Sequence, residues 1–186
     1  MNPSRISETR HTVNRLTIAT ESSLTDFRER YEQAVPPVPM HEMEELARRQ
    51  APWSDMVAVV SAAAPHGFLI YHTLDLSPFL MLAGHRPGDV AYLMGNHTIA
   101  ERMYRHDPTV MIHAPLRTLI WEGPDGAARF TVDQPSSDFG SYGNPDIAAV
   151  GVELDRKLAA LLEHLGVEVP AALLTSEPTS TVGVGG

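Results

Sequence analysis

Residues 89–117 read DVAYLMGNHTIAERMYRHDPTVMIHAPLR, and this stretch decides the kind of domain that the chain forms. The apolar run over 89–95 predicts a strand, and Gly95, Asn96 and His97 predict a tight turn after it. A helix is expected to follow the turn and to end before the proline of the segment. A second strand then carries the chain onward. Strand, turn, helix and strand in so short a stretch are typical of a compact domain that mixes both kinds of element.

Two details refine the prediction for this stretch. Thr98 and Glu101 have the spacing of a capping box, so Thr98 is predicted to cap the helix. The second strand is predicted over 110–122, and His113 would lie on it. A bend is expected at Pro115, because a central strand cannot use a residue without an N–H group.

The rest of the chain adds strands and helices around this unit. Alternation over 67–75 predicts a strand whose one face carries His72 among apolar side chains. The clearest helix begins at a cap on Asn144 and ends at Gly166. Hairpins mixed with helices indicate an α+β fold, with a mainly antiparallel sheet and helices packed on one face. Further strands are expected over 12–20 and 127–133, further helices over 22–35, 40–50 and 55–64, a short helix or apolar loop over 77–84, and a loop over 134–143.

Composition excludes several classes of protein. The chain has 186 residues, a formal net charge of −9 and no cysteine. Disulfides, thiolate metal sites and cysteine nucleophiles are therefore excluded. The negative charge argues against nucleic acid or an anionic membrane as a partner, since both require a dense basic face. No apolar run approaches the length of a membrane span, and the polar start lacks the features of a secretory signal, so a cytoplasmic protein is expected.

The common catalytic motifs are missing from the sequence. No glycine-rich phosphate loop and no nucleophile elbow is present. His41 and Glu42 begin like a zinc-binding HExxH helix, but Glu45 stands where the second histidine is needed. This segment is interpreted as an ordinary solvated helix start.

Histidines are the main candidates for a site. If the strands pair as predicted, His72, His97 and His113 converge near one end of the sheet. Neutral imidazoles bind zinc, copper, iron or haem iron, and a histidine with a pKa near 7 also serves in acid–base chemistry. The alternative for each is a partly buried histidine that bonds to a backbone carbonyl. Arg117 adds a group that binds carboxylate or phosphate, and Asn96 lies in the same turn as His97.

The segments MGNHTIAERM, APLR, TVDQPSS and ELDRKLAALL carry a family resemblance. The chain resembles the DUF302 family of bacterial domains of unknown function, in a branch of actinobacterial type. The resemblance covers about 67–165 and is most specific over 93–117. Most members have Gly-Asn-Pro at the turn where this chain has Gly-Asn-His, so a titratable group stands at 97 where the wider family has none.

The resemblance implies a compact α+β domain with a TBP-like layout, commonly dimeric, and it implies no established reaction or cofactor. It also sets the expected domain organisation. We expect a polar lead-in over 1–10, a single domain over 11–166 with a helical insertion over 21–53 and a best-matching core over 67–165, and a disordered tail over 171–186.

Three functional hypotheses follow from the sequence. The first is a homodimeric protein that binds a small molecule near the turn at 95–97, with ligand-binding residues His72, Asn96, His97, His113 and Arg117. The second is an enzyme in which His72, His97 and His113 hold a transition metal or haem. The third is a protein-interaction module. No nucleic acid and no membrane is expected as a partner.

Overall fold

The computed structural model describes residues 6–85 and 88–175. Five strands form one sheet in the order β1-β5-β4-β3-β2, and every neighbouring pair is antiparallel. The predicted α+β fold with a mainly antiparallel sheet is confirmed. The strands are β1 (Arg15–Ala19), β2 (Leu69–Asp75), β3 (Asp89–Gly95), β4 (Leu116–Glu122) and β5 (Ala128–Asp133).

Helices fill the connections between the strands. None of those in 6–85 and 88–175 is long and apolar enough to cross a membrane. They are α1 (Leu24–Ala34), α2 (Met40–Arg48), α3 (Trp53–Ala63), α4 (Ser77–Leu82), α5 (His97–Tyr104), α6 (Pro135–Phe139), α7 (Pro145–His164) and α8 (Ala171–Leu174). Two 3₁₀ helices, Pro108–Ile112 and Gly140–Tyr142, complete the set.

One face of the sheet packs against α1 and α7 to form the core. Alternate residues of the inner strands, such as Tyr92, Ile120 and Phe130, are buried there because successive strand side chains point to opposite faces. From α1, Tyr31 packs on these rings and its hydroxyl bonds to the buried Thr118 at 3.1 Å. The opposite face, here called the outer face, carries the residues in between.

The long helix α7 forms as its sequence predicts. The Asn144 side chain accepts hydrogen bonds from the N–H groups of Asp146 and Ile147, and Pro145 occupies the first turn. Gly166 follows the helix with a φ of +71°, a conformation that glycine adopts without strain. The apolar face of α7 is buried across the core.

A β-bulge in β2 changes the predicted position of His72. The pairing with β3 shifts between Ile70 and His72, which leaves Tyr71 as the extra residue. Ile70 therefore faces the core, whereas His72 is exposed on the outer face. The alternation predicted for 67–75 is wrong beyond Ile70, because one inserted residue moves every later side chain to the other face.

The predicted strand over 110–122 is also wrong in its first half. Asp107 caps a 3₁₀ helix there by accepting the N–H of Thr109, and His113 ends that helix instead of lying on a strand. The strand begins only at Leu116, after the cis Ala114–Pro115 peptide. Proline cannot donate to the ladder, so pairing starts after it.

Smaller differences concern helix ends and loops. Asn96 caps α5, not Thr98, because its side chain accepts the first free N–H groups of the helix. The segment 134–143, predicted as loop, contains α6 and a 3₁₀ helix. The tail predicted from 171 begins with α8, whose Leu173 is buried, and 176–186 lie outside the described residues.

Close packing between α6 and α7 depends on Gly151. A Cβ atom at Gly151 would lie 3.0 Å from the Cβ of Phe139 and 3.1 Å from the Cα of Ser136, tighter than ordinary contacts. We therefore expect Gly151→Val to lower the free energy of unfolding by about 1–3 kcal/mol, measured by urea denaturation. The control is Ala149→Val, on the exposed face of the same helix, which costs only the helix propensity of valine, under about 1 kcal/mol. Equal losses in the two variants would contradict this packing.

Candidate functional site

An apolar cavity of about 170 Å³ lies where β2 begins and β3 ends, between α5 and the segment that leads into β4. Its volume is close to the roughly 150 Å³ of an engineered cavity that holds benzene, and below the roughly 300–1,000 Å³ of sites for drug-sized ligands. It is lined by Phe68, Tyr71, Gly95, Asn96, His97, Ile99, Ala100, Met103, Met111, Ala114, Pro115, Leu116, Phe139 and Leu154.

Asn96 caps the N-terminus of α5. Its Oδ1 accepts the N–H groups of Thr98 at 3.0 Å and Ile99 at 3.4 Å, and its Nδ2 donates to the carbonyl of Gly67 at 3.1 Å. The side-chain amide is therefore engaged at both ends. Asn96 lines the cavity as a helix cap and a link to the start of β2.

His97, the first residue of α5, is held by Tyr71 from the bulge of β2. The backbone N–H of His97 donates to the Tyr71 hydroxyl at 3.0 Å, and His97 Nδ1 lies 2.6 Å from the same oxygen. The bulge orients the Tyr71 side chain towards the turn at 95–97. The indole of Trp53 packs edge-on against the imidazole, with 6.4 Å between ring centroids.

The protonation of His97 follows from these contacts. Burial raises the pKa of Tyr71, so the phenol keeps its proton. The Tyr71 oxygen accepts a hydrogen bond from the backbone N–H of His97. Its hydroxyl group then donates its single proton to Nδ1 of the imidazole. The neutral imidazole carries its own hydrogen on Nε2 as a consequence. Within 6–85 and 88–175, His97 Nε2 is the one buried side-chain nitrogen or oxygen that lacks a hydrogen-bond partner.

His113 lies in a different cluster. Its Nδ1 is 3.7 Å from Asp138 Oδ1, and His11 Nε2 is 3.4 Å from the same oxygen. The two imidazoles meet edge-to-face, with 5.9 Å between centroids. Beside this cluster is a cleft of about 140 Å³, to which His113, Asp138 and Arg117 all contribute.

The structure therefore divides the residues predicted from the sequence. Asn96 and His97 line the apolar cavity, and His113 and Arg117 line the separate cleft. His72 lies exposed on the outer face, paired with Leu93. The expected convergence of the three histidines is wrong, because the bulge turns His72 away and the 3₁₀ helix places His113 elsewhere.

Sequence reasoning missed His11 and Asp138, and it missed the contact of Tyr71 with His97. Tyr71 was assigned correctly to a strand, but no pattern marks a bulge there. His11 and Asp138 are separated by 127 positions in the chain, and Asp138 lies in a segment predicted as loop. No local signal connects residues so far apart.

Burial lowers the pKa of His97 below the ordinary value of about 6.5. The folded protein thus disfavours the charged imidazole, and His97 lowers stability as the pH falls from about 6.5 towards the folded pKa. We expect the His97 midpoint in an NMR titration to lie below that of a model imidazole.

Urea unfolding at pH 7.5 and pH 5.5 provides a second measurement. His97→Gln should lose less stability between the two pH values than the wild type does, and His41→Gln, an exposed position on α2, controls for the loss of one imidazole. A His97 midpoint at or above the model value would contradict the burial of the ring.

Comparisons with known proteins agree with this fold. The family model "Domain of unknown function DUF302" matches residues 48–165. Among solved structures, the chain is similar to that described as "Crystal structure of uncharacterized conserved protein DUF302 from Bacillus stearothermophilus", with a TM-score of 0.57 and 16% identity over 81% of this chain and 97% of that chain. No curated protein matches. The family match covers more than half of the chain, and the protein belongs to the DUF302 family.

Proposed function

We propose that this protein binds a small, mostly apolar molecule in the cavity beside the turn at 95–97. The observation that carries the proposal is the unpartnered Nε2 of His97, a buried polar atom on a residue that lines an apolar cavity. A buried donor without a partner costs about 1–3 kcal/mol. A ligand that accepts its hydrogen bond would recover that free energy.

The cavity also limits the chemistry of the ligand. Its walls are almost wholly apolar side chains, so most of the ligand surface must be apolar too. Because Nε2 carries the hydrogen, the ligand needs an acceptor such as a carbonyl oxygen. A single ring or a short branched chain with one carbonyl fits these limits. Haem does not, since even drug-sized ligands need more space than this cavity offers.

A matched pair of compounds tests the proposal. Cyclohexanone and toluene have the same number of heavy atoms, but only cyclohexanone has a strong acceptor. In an NMR titration we expect both to shift signals of the cavity residues. His97→Phe should weaken the binding of cyclohexanone relative to that of toluene about 3- to 10-fold, the effect of one hydrogen bond.

The control variant is His72→Phe, which replaces an exposed imidazole outside the cavity. It should bind both compounds as the wild type does. The proposal fails if neither compound shifts the cavity signals, or if His97→Phe keeps the wild-type ratio of the two affinities.

A second proposal, self-association, concerns the outer face of the sheet. Leu93, Leu119 and Trp121 are only half-buried there. Asp89 and Arg117 lie at opposite ends of the β3–β4 pair on this same face. A second copy related by a twofold axis would place the arginine of each chain over the aspartate of the other. The face is thus complementary to itself in both apolar surface and charge.

The mass in solution tests this dimer. We expect light scattering at micromolar concentration to give twice the chain mass of 20.3 kDa, and Leu119→Lys to give the monomer. Ala160→Lys places the same charge on the exposed side of α7 and should leave the dimer intact. A monomeric wild-type protein would refute the proposal.

A further inference from the structure

We propose that His11, His113 and Asp138 form a binding site for a divalent first-row transition metal such as Zn²⁺. Among the residues described, these three are the group whose imidazole nitrogens and carboxylate oxygen all lie within 4.8 Å of one another. Two histidines and one carboxylate are a ligand set that zinc and non-haem iron proteins use, with open positions for water or substrate. The site is separate from the cavity at His97.

The distances match coordination better than direct hydrogen bonding. A charge-assisted N–H···O bond is about 2.7–2.9 Å long, whereas the two nitrogens lie 3.4 Å and 3.7 Å from Asp138 Oδ1. Neighbouring ligand atoms around tetrahedral zinc, with bonds of about 2.0–2.2 Å, are roughly 3.3–3.6 Å apart. The two imidazole nitrogens lie within 4.8 Å of each other, so a metal ion bound between the three groups would draw them together by up to roughly 1.5 Å.

Each ligand is held by its own element. Asp138 lies on α6, and the helix α6 packs against Gly151 of α7. His113 ends a 3₁₀ helix, and its ring contacts the edges of Phe139 and Tyr142, each with 6.1 Å between centroids.

His11 belongs to the segment before β1, and Asn14 fastens that segment to the start of α6. The carbonyl of Asn14 accepts the N–H of Gln134 at 2.8 Å, and its Nδ2 donates to Gln134 Oε1 at 2.7 Å. Its own N–H donates to Ser137 Oγ at 3.2 Å. Such anchoring positions His11 in advance, which lowers the entropy cost of binding an ion.

The three side chains differ in how far they are exposed to solvent. Asp138 is 11% exposed, His113 23% and His11 27%, so the carboxylate forms the floor and the imidazoles the rim. The adjoining cleft, which contains Arg117, leaves room for a further ligand. Since Arg117 is cationic, an anion such as a carboxylate suits the open coordination position.

Metal titration of the full, tag-free chain tests the site. After treatment with a chelator, we expect calorimetry to show one Zn²⁺ bound per chain, and Co²⁺ to give visible absorption bands. His11→Ala, His113→Ala and Asp138→Asn should each weaken Zn²⁺ binding at least about 100-fold, since the loss of an outer-shell partner already costs about 10- to 100-fold. His106→Ala is the matched control, because His106 Nε2 lies 3.8 Å from Asp146 Oδ2 and no third ligand joins them among the described residues.

A measurement on the wild type removes any dependence on how the variants fold. Co²⁺ is paramagnetic, so it should shift or broaden the imidazole signals of His11 and His113 strongly and those of His72 and His97 less, because the effect falls steeply with distance. Three results would overturn the proposal: no Zn²⁺ bound, an equal loss in His106→Ala, or a Co²⁺ effect centred on other histidines.

Discussion

The buried contact between α7 and the segment that contains α6 is the constraint on which both histidine clusters depend. Asp155 of α7 is fully buried, and it accepts hydrogen bonds from Gln134 Nε2 at 2.7 Å and from the N–H of Ser136 at 2.9 Å. A buried carboxylate is tolerated only with such partners, so α6 has one favoured position. Gly151 permits the close approach, and Leu154 extends the same helix face to the wall of the cavity.

The two clusters place histidine in opposite environments. At His97 the ring lies in apolar surroundings that favour its neutral form, and its hydrogen-bond partner among the described residues is the Tyr71 hydroxyl at Nδ1. At His113 a carboxylate stands next to two imidazoles that are partly open to solvent. The first environment suits a neutral hydrogen-bond acceptor, whereas the second suits a positive ion. One fold thus places the same side chain in two opposite surroundings.

Much of the fold could be predicted from the sequence because its signals are local. The cap at Asn144 and the glycine at 166 that ends α7 each act within a few residues, and both appear in the structure. The predictions of the strands were wrong where a single residue shifts the pairing register or prevents strand pairing. The bulge at Tyr71 reverses the faces of β2, and the chain reaches β4 only after Pro115.

The candidate sites were harder to predict, because they combine residues that are distant in sequence. His97 was identified from its place in a turn, but its partner Tyr71 depends on the bulge. The His11 and Asp138 contact depends on the docking of the segment before β1 onto α6, which is set by hydrogen bonds at Asn14. No periodicity records such docking, since the segment before β1 forms no regular element there and α6 is only five residues long.

The hydrogen bond between the Tyr71 hydroxyl and the backbone N–H of His97 has a consequence for which residues occur together in the family. Position 97 begins α5, where proline is favoured because the first N–H of a helix has no partner in the helix. In this chain that N–H does have a partner, the Tyr71 hydroxyl, and a proline would have no N–H to donate to it. A relative with proline there would lack both the donor and the imidazole, leaving a tyrosine at position 71 without its two contacts. The tyrosine and the histidine should therefore be gained and lost together among homologues.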